Sequence, residues 1–338
     1  MAYTIAVLSQ KGGTGKTTVV RTLSDAFRRR GVRTLAIDLD PQGNLSDYFD
    51  LPPDVQPTIA EVLLGTASVG EATHQDMVPA NLSLAEAELL LGGKMGRELT
   101  LRRAIAKAPP PYELILIDCP PSLGLLTVNA LVAADRALIT AEAQYFALQG
   151  VEQAIEVVDL ARDSLNPGLS LVGLLLNVAD MRTVHSREAL ASLRERFGSQ
   201  VFDTVVRASI AYAESAERAV SILDHRPDLG ADYIALADEV LARLPALGDP
   251  VATAPAVVGA SEARPGAPAP APAPPADGLS PNVPTREETE PEDVPAADAH
   301  VHAPDRERIV DGAQPPGDGH GHDDPAERSE ELGAGASS

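Results

Sequence analysis

The chain has 338 residues, with 49 acidic against 27 basic side chains and a formal net charge of −22. Its single cysteine, Cys119, excludes a disulfide framework or a Cys-ligated zinc or iron–sulfur site within one chain. The acidic balance argues against a generally basic nucleic-acid binder, no apolar stretch reaches the roughly 20 residues that span a bilayer, and no basic region precedes the first apolar run, so a soluble, cytoplasmic protein is expected.

Residues 3–8 form a short apolar run that stops at a Gly-rich turn, and residues 17–30 follow with helical spacing at Val20, Leu23 and Phe27. This predicts a strand, a loop and a helix. Residues 32–37 make the next β-rich run, ending at Asp38-Leu39-Asp40-Pro41, and residues 114–117 repeat the pattern before Asp118-Cys119-Pro120-Pro121. Further strands are predicted at 137–141, 169–176 and 201–205, separated by helical stretches such as 151–164 and 187–197, with a closing helix at 232–244. Continuous apolar runs alternating with amphipathic helices predict an α/β fold: a mostly parallel, doubly wound sheet covered on both faces, in three layers. Ligands of such sheets bind outside the carboxyl ends of the strands.

Residues 249–338 hold 16 of the 29 prolines and 18 acids against 5 arginines, which is −13 and leaves −9 on residues 1–248. The segment alternates Pro and Ala at 266–276, carries His-x-His at 300–302 and 320–322, and has too few large apolar residues to offset the entropy of ordering. We therefore divide the chain into a globular domain at 1–248 and a disordered, acidic Pro/Ala-rich tail at 249–338.

Ser9-Gln10-Lys11-Gly12-Gly13-Thr14-Gly15-Lys16-Thr17-Thr18 lies between the first strand and the first helix. Glycines at 12, 13 and 15 let successive backbone N–H groups turn around an anion, and the helix N-terminus adds favourable partial charge. In such a P-loop, Lys16 reaches the β/γ-phosphates and the Thr17 hydroxyl ligates Mg²⁺. Gln10 stands where the strict pattern has its first Gly, and a second lysine stands at 11.

The loop resembles the deviant Walker A motif of the ParA/MinD group of ATPases, in which the early lysine, here Lys11, reaches across an ATP-sandwiched homodimer to the partner's phosphates. Asp38-Leu39-Asp40-Pro41-Gln42-Gly43-Asn44 resembles the Asp-x-Asp-Pro-Gln-Gly-Asn segment of ParA-type partition proteins. The resemblance implies water activation by Asp40, and support of the metal and switch by Asp38. Asp118 stands as a Walker B acid on Mg²⁺, and Asp118-Cys119-Pro120-Pro121-Ser122 is similar to the family's γ-phosphate switch, with residues 125–134 as the helix that helps form the dimer face. By the same resemblance Asn177 contacts adenine and Arg207 belongs to the wall of the base pocket. The chain departs from the family at Val206, where Pro is common, at Thr140-Ala141-Glu142-Ala143-Gln144, where Pro-Val-Gln-Cys-Glu is common, and at Ala219, where Gly is usual.

The implied activity is slow ATP hydrolysis with Mg²⁺, driving a cycle in which the ATP dimer binds nucleoid DNA nonspecifically and is released with the help of a ParB-type adaptor. Seven arginines lie between 180 and 228, alongside eight acids; Arg182, Arg187, Arg218 and Arg226 are the candidate DNA contacts. A second basic run, Lys94, Arg97, Arg102, Arg103 and Lys107, reads as an exposed helical face. No helix-turn-helix precedes Tyr3 and no basic amphipathic helix ends the chain, so sequence-specific operator binding and membrane attachment are not expected. The alternative is the same switch positioning a non-DNA cargo, such as a polar complex or microcompartment. A metal-chaperone role is disfavoured, because a metal bridged by Cys119 would have to sit inside the switch.

Overall fold

The computed structural model describes residues 2–107, 111–144 and 147–244. The tail at 249–338, with its His-x-His pairs, lies outside them. In chain order the strands are β1 (Tyr3–Leu8), β2 (Thr34–Asp38), β3 (Met77–Val78), β4 (Leu114–Asp118), β5 (Arg136–Glu142) and β6 (Ser170–Asn177). The helices are α1 (Lys16–Arg29), α2 (Asn44–Tyr48), α3 (Ile59–Leu64), α4 (Ser83–Gly92), α5 (Thr100–Lys107), α6 (Leu125–Ala133), α7 (Ala147–Ser164), α8 (Val184–Phe197), α9 (Ala211–Glu217), α10 (Ile222–His225) and α11 (Pro227–Arg243).

The six strands form one sheet in the order β3-β2-β4-β1-β5-β6, and every neighbouring pair is parallel. Side chains of a strand alternate between faces, and this divides the core in two. Ala6, Leu8, Ile115, Ile117 and Ile139 pack beneath α3 to α8 on one side; Ile5, Val7, Leu114, Leu116 and Leu138 pack against α1, α9, α10 and α11 on the other. The three-layer α/β/α expectation holds. Because β1 lies at the centre, between β4 and β5, the loop that follows it opens where the strand order reverses, the crevice in which open α/β sheets take ligands.

The predicted strand at 201–205 is a correction. It follows the β6 edge without forming a regular strand: Val201 makes an isolated bridge with Leu174, and the Phe202 and Val206 N–H groups donate to the Leu174 and Leu176 carbonyls at 2.9 and 3.1 Å. The β-branched residues favour an extended chain, but the Asp203 and Thr204 N–H groups donate to the Glu239 carboxylate on α11, at 2.9 and 2.8 Å, instead of to a strand. The two-residue strand β3 is an addition, pairing with β2 through Ala36 and Ile37. Among the described residues no helix is long and apolar enough to cross a membrane.

Candidate active site

The loop between β1 and α1 is built by its small side chains. Ser9 is buried; its hydroxyl donates to the Lys11 carbonyl (2.7 Å) and accepts from Thr14 Oγ1 (2.9 Å) and Lys16 Nζ (3.2 Å). Thr14 Oγ1 also lies 2.9 Å from Thr140 Oγ1 on β5, which ties the loop to the sheet. Gly15, the N-cap of α1, has φ of 79°, in the left-handed region. A Cβ there would fall 2.4 Å from Asn177 Nδ2, so glycine is required both by conformation and by space.

Asp38 and Asp118 end adjacent parallel strands in register, about 4.8 Å apart along the hydrogen-bonding direction. Both are fully buried. Thr17 Oγ1 donates to Asp118 Oδ2 at 2.7 Å, while Asp118 Oδ1 is buried with no hydrogen-bond partner. Burial pushes the Asp118 carboxyl up to about 8, with the nearby Asp38 charge acting in the same direction. Asp38 is pushed up to about 6, again chiefly by burial, against the hydrogen bonds it accepts. A buried carboxylate oxygen with no partner beside a threonine hydroxyl fits a hard divalent cation, which supplies the missing charge and takes oxygen ligands. Among the described residues no group of three His, Cys, Asp or Glu side chains could hold a metal by itself, so a metal here needs further oxygens from water or from a bound phosphate.

Asp38 organises the segment that follows it. Its Oδ1 accepts from the Asp40 N–H (3.1 Å), and its Oδ2 accepts from both the N–H (3.0 Å) and the hydroxyl (2.9 Å) of Ser46. Asp40 in turn accepts from the Gln42 N–H at 3.0 Å. The carboxylate network thus sets the turn at 40–43 and seats α2 beside the loop. A cleft of about 550 Å³ opens there, lined by Gly12, Gly13, Gly15, Lys16, Thr17, Thr18, Asp40, Gln42, Asn44, Asp47, Tyr48, Pro121 and Ala216.

Of the residues predicted from the sequence, the loop, Thr17 and Asp40 meet at this cleft. Lys11 does not face into it: Lys11 Nζ donates to Gln144 Oε1 at 2.6 Å and lies 3.6 Å from Glu142 Oε2, with most of the side chain in solvent. Asn177 is buried, and its amide donates to the Thr14 carbonyl at 2.8 Å, holding the loop from beneath rather than lining the cleft. Arg207 is also outside the cleft lining, with its Nε donating to Asp232 at 2.8 Å. Arg182 makes a bidentate pair with Asp180 and Arg226 one with Asp228, all at 2.9 Å; Arg187 donates to the carbonyls of Met181 and Arg182, and Arg218 is exposed at the end of α9. The aspartates two residues from Arg182 and Arg226 were a sequence signal for these pairs. Ser46, Tyr48 and Ala216 were not singled out in the sequence. Ser46 follows the acidic motif by a few residues and could have been found as its partner, whereas Ala216 comes from a distant segment.

A protein-family model described as an AAA domain matches residues 2–171. The chromosome partitioning protein ParA of Myxococcus xanthus is 36% identical over 248 residues, covering 71% of this chain and 88% of that protein. The sporulation initiation inhibitor protein Soj of Bacillus subtilis is 36% identical over 251 residues, covering 72% and 99%. The chain belongs to the ParA family of P-loop ATPases. The family fold recurs in a crystal structure named cobyrinic acid a,c-diamide synthase from Mycobacterium smegmatis, solved with ADP and magnesium: 34% identity, TM-score 0.61, 70% of this chain and 93% of that one. The resemblance in the loop and strand-end acids is thus matched by similarity over about seven-tenths of the chain, 71% and 72% for the M. xanthus and B. subtilis relatives.

Proposed function

We propose that this ParA-family protein is an ATP-driven partitioning switch that uses Mg²⁺. ATP sits with its phosphates on the loop at 11–18, cradled by the backbone N–H groups at Gly12 to Thr18 and the Lys16 ammonium. Mg²⁺ would be held by the Thr17 hydroxyl and Asp118. When bound, the ion neutralises charge on the transferring phosphoryl group. Asp40, on the cleft wall, orients the attacking water, and Asp38 positions Asp40 through its backbone N–H. The adenine is assigned to the neighbourhood of Asn177 and Arg207, outside the phosphate cleft.

The observation that carries the switch reading is the outward course of Lys11. A lysine in a phosphate loop that turns away from its own cleft is available to a second copy, which supports an ATP-sandwiched homodimer. In that dimer the arginines near 182–226 contact nonspecific DNA, a ParB-type adaptor stimulates a slow intrinsic hydrolysis, and hydrolysis releases the DNA. Such a protein is nucleoid-associated. The domain responsible is 1–248.

A second reading keeps the switch and changes the cargo to a non-DNA body. It is favoured by Arg182 and Arg226, each already neutralised by an aspartate two residues away. Cys119 is buried and its thiol is pushed up by that burial, which makes it a poor nucleophile. The test is co-sedimentation of the full chain with DNA in ATP, ADP and no nucleotide, over a range of salt. ATP-dependent binding that weakens steeply with salt supports partitioning. Binding equal in all three states removes the DNA reading, and a Lys11→Ala protein that still dimerises with ATP removes the sandwich.

A further inference from the structure

Ser215, on α9, is fully buried and joins three elements. Its hydroxyl donates to the Val220 carbonyl at 2.6 Å, and its single proton is thereby used. The Tyr48 hydroxyl therefore donates to Ser215 Oγ, so the bonds run in one direction, from Tyr48 on α2 through Ser215 to the turn after α9. The Val220 N–H returns to the Ser215 carbonyl at 3.0 Å, closing that turn. Within it, Ala219 has φ of 52°, a left-handed conformation that is uncommon for a residue with a Cβ. Arg218 precedes it, exposed at the C-cap of α9.

The other end of the relay is the cleft. Tyr48 lines it at the close of the segment organised by Asp38 and Asp40, and Ala216, the residue after Ser215, lines it as well. The Arg21 guanidinium, from α1, lies 5.5 Å from the Tyr48 ring centre and 4.0 Å from that of Phe49, which fixes α2 against the helix that begins at Lys16.

We infer that Ser215 is a positioning residue through which the turn at Arg218–Val220 reports the state of the phosphate cleft. This rests on the proposed ATP reading. A γ-phosphate seated beside Gln42, with the attacking water on Asp40, shifts α2, and the Tyr48–Ser215–Val220 hydrogen bonds pass that shift to the turn bearing Arg218. The coupling element is one buried side chain with a partner at each end.

The experiment is hydrogen exchange of residues 211–226 in the full chain, with and without a non-hydrolysable ATP analogue and Mg²⁺, beside an independent measurement of analogue affinity. In the wild type, exchange in this segment slows about five- to tenfold on binding, the scale of one buried hydrogen bond. Ser215→Ala keeps analogue affinity within about threefold and loses most of that response. A Ser215→Ala protein with the full response overturns the inference, as does one in which response and affinity fall together, since that is a purely structural role. If Ser215→Ala folds poorly, the Tyr48→Phe/Ser215→Ala double variant removes both buried hydroxyls, recovers stability and still lacks the response; a restored response counts against the relay. A wild type that binds the analogue without any change at 211–226 refutes the relay and leaves the ATP reading standing, whereas a wild type that fails to bind the analogue refutes both.

Discussion

Replacing Asp118 by Asn separates the two demands that fold and function place on this position. The carboxyl is buried beside Asp38, with Oδ2 accepting from Thr17 and Oδ1 unpartnered. Burial pushes its pKa up to about 8 from 3.8, so the unliganded fold holds a proton that the unfolded chain releases near pH 4. A carboxyl raised in the native state lowers stability progressively as pH rises between the unfolded and folded values, because the unfolded state then binds fewer protons than the folded one. The loss is absent below about pH 4 and complete above about pH 8. Each pH unit in that window corresponds to about 1.4 kcal/mol for a fully buried group, less what Asp38 shares as the pair titrates together. The amide keeps an acceptor for Thr17 and cannot ionise. Asp118→Asn is therefore expected to be about 1 kcal/mol more stable than the wild type at pH 5 and about 2–4 kcal/mol more stable at pH 7.5. For a domain of this size the latter is a rise in Tm of about 5–10 °C. Calorimetry in EDTA without nucleotide, at both pH values, reads the difference. Repeating it with Mg²⁺ and an ATP analogue reads the function: the wild type gains stability because the cation compensates the carboxylate, and the variant does not. A variant less stable than the wild type at pH 7.5, or a gap that is the same at both pH values, refutes the reasoning.

Gly15→Ala puts a Cβ against the Asn177 amide at a left-handed backbone position, so at least a tenfold loss of ATP-analogue affinity and a destabilisation of about 2 kcal/mol are expected, read by equilibrium binding and urea unfolding. Asp40→Ala is expected to slow phosphate release about 100-fold or more while analogue affinity changes little, and to leave the ATP dimer trapped in size-exclusion chromatography; normal hydrolysis by this variant removes the role given to Asp40. Ala219→Gly relieves the positive φ of 52°, worth about 1–2 kcal/mol, against about 0.5–1 kcal/mol for the freer unfolded chain, so the urea midpoint should rise slightly; a fall would mean that the Ala219 methyl makes contacts worth more than the strain.

Much of this protein is written locally. The apolar run at Tyr3–Leu8, the glycines after it and the helix from Lys16 are consecutive in the chain, so strand, loop and helix were legible together. Aspartates at the ends of two such runs could be placed at one sheet edge, because parallel strands in an α/β fold share their carboxyl ends. The family followed from the same residues. Even the pairing of Arg182 with Asp180 and of Arg226 with Asp228 is a matter of two-residue spacing.

Tertiary structure decided the rest, where the partner lies far along the chain. Residues 201–205 have the composition of a strand, yet Asp203 and Thr204 give their N–H groups to Glu239, more than thirty residues on, and only packing of α11 on the sheet brings that carboxylate near. Asn177 holds the Thr14 carbonyl from 163 residues away, and Tyr48 meets Ser215 across 167. The direction of Lys11, towards Gln144 at the end of β5 and away from its own cleft, depends on β5 lying beside β1 in the sheet. Periodicity and glycine placement specify elements because they act over a few residues. Which side chains then meet is set by strand order and by the two buried layers, information that no short segment contains.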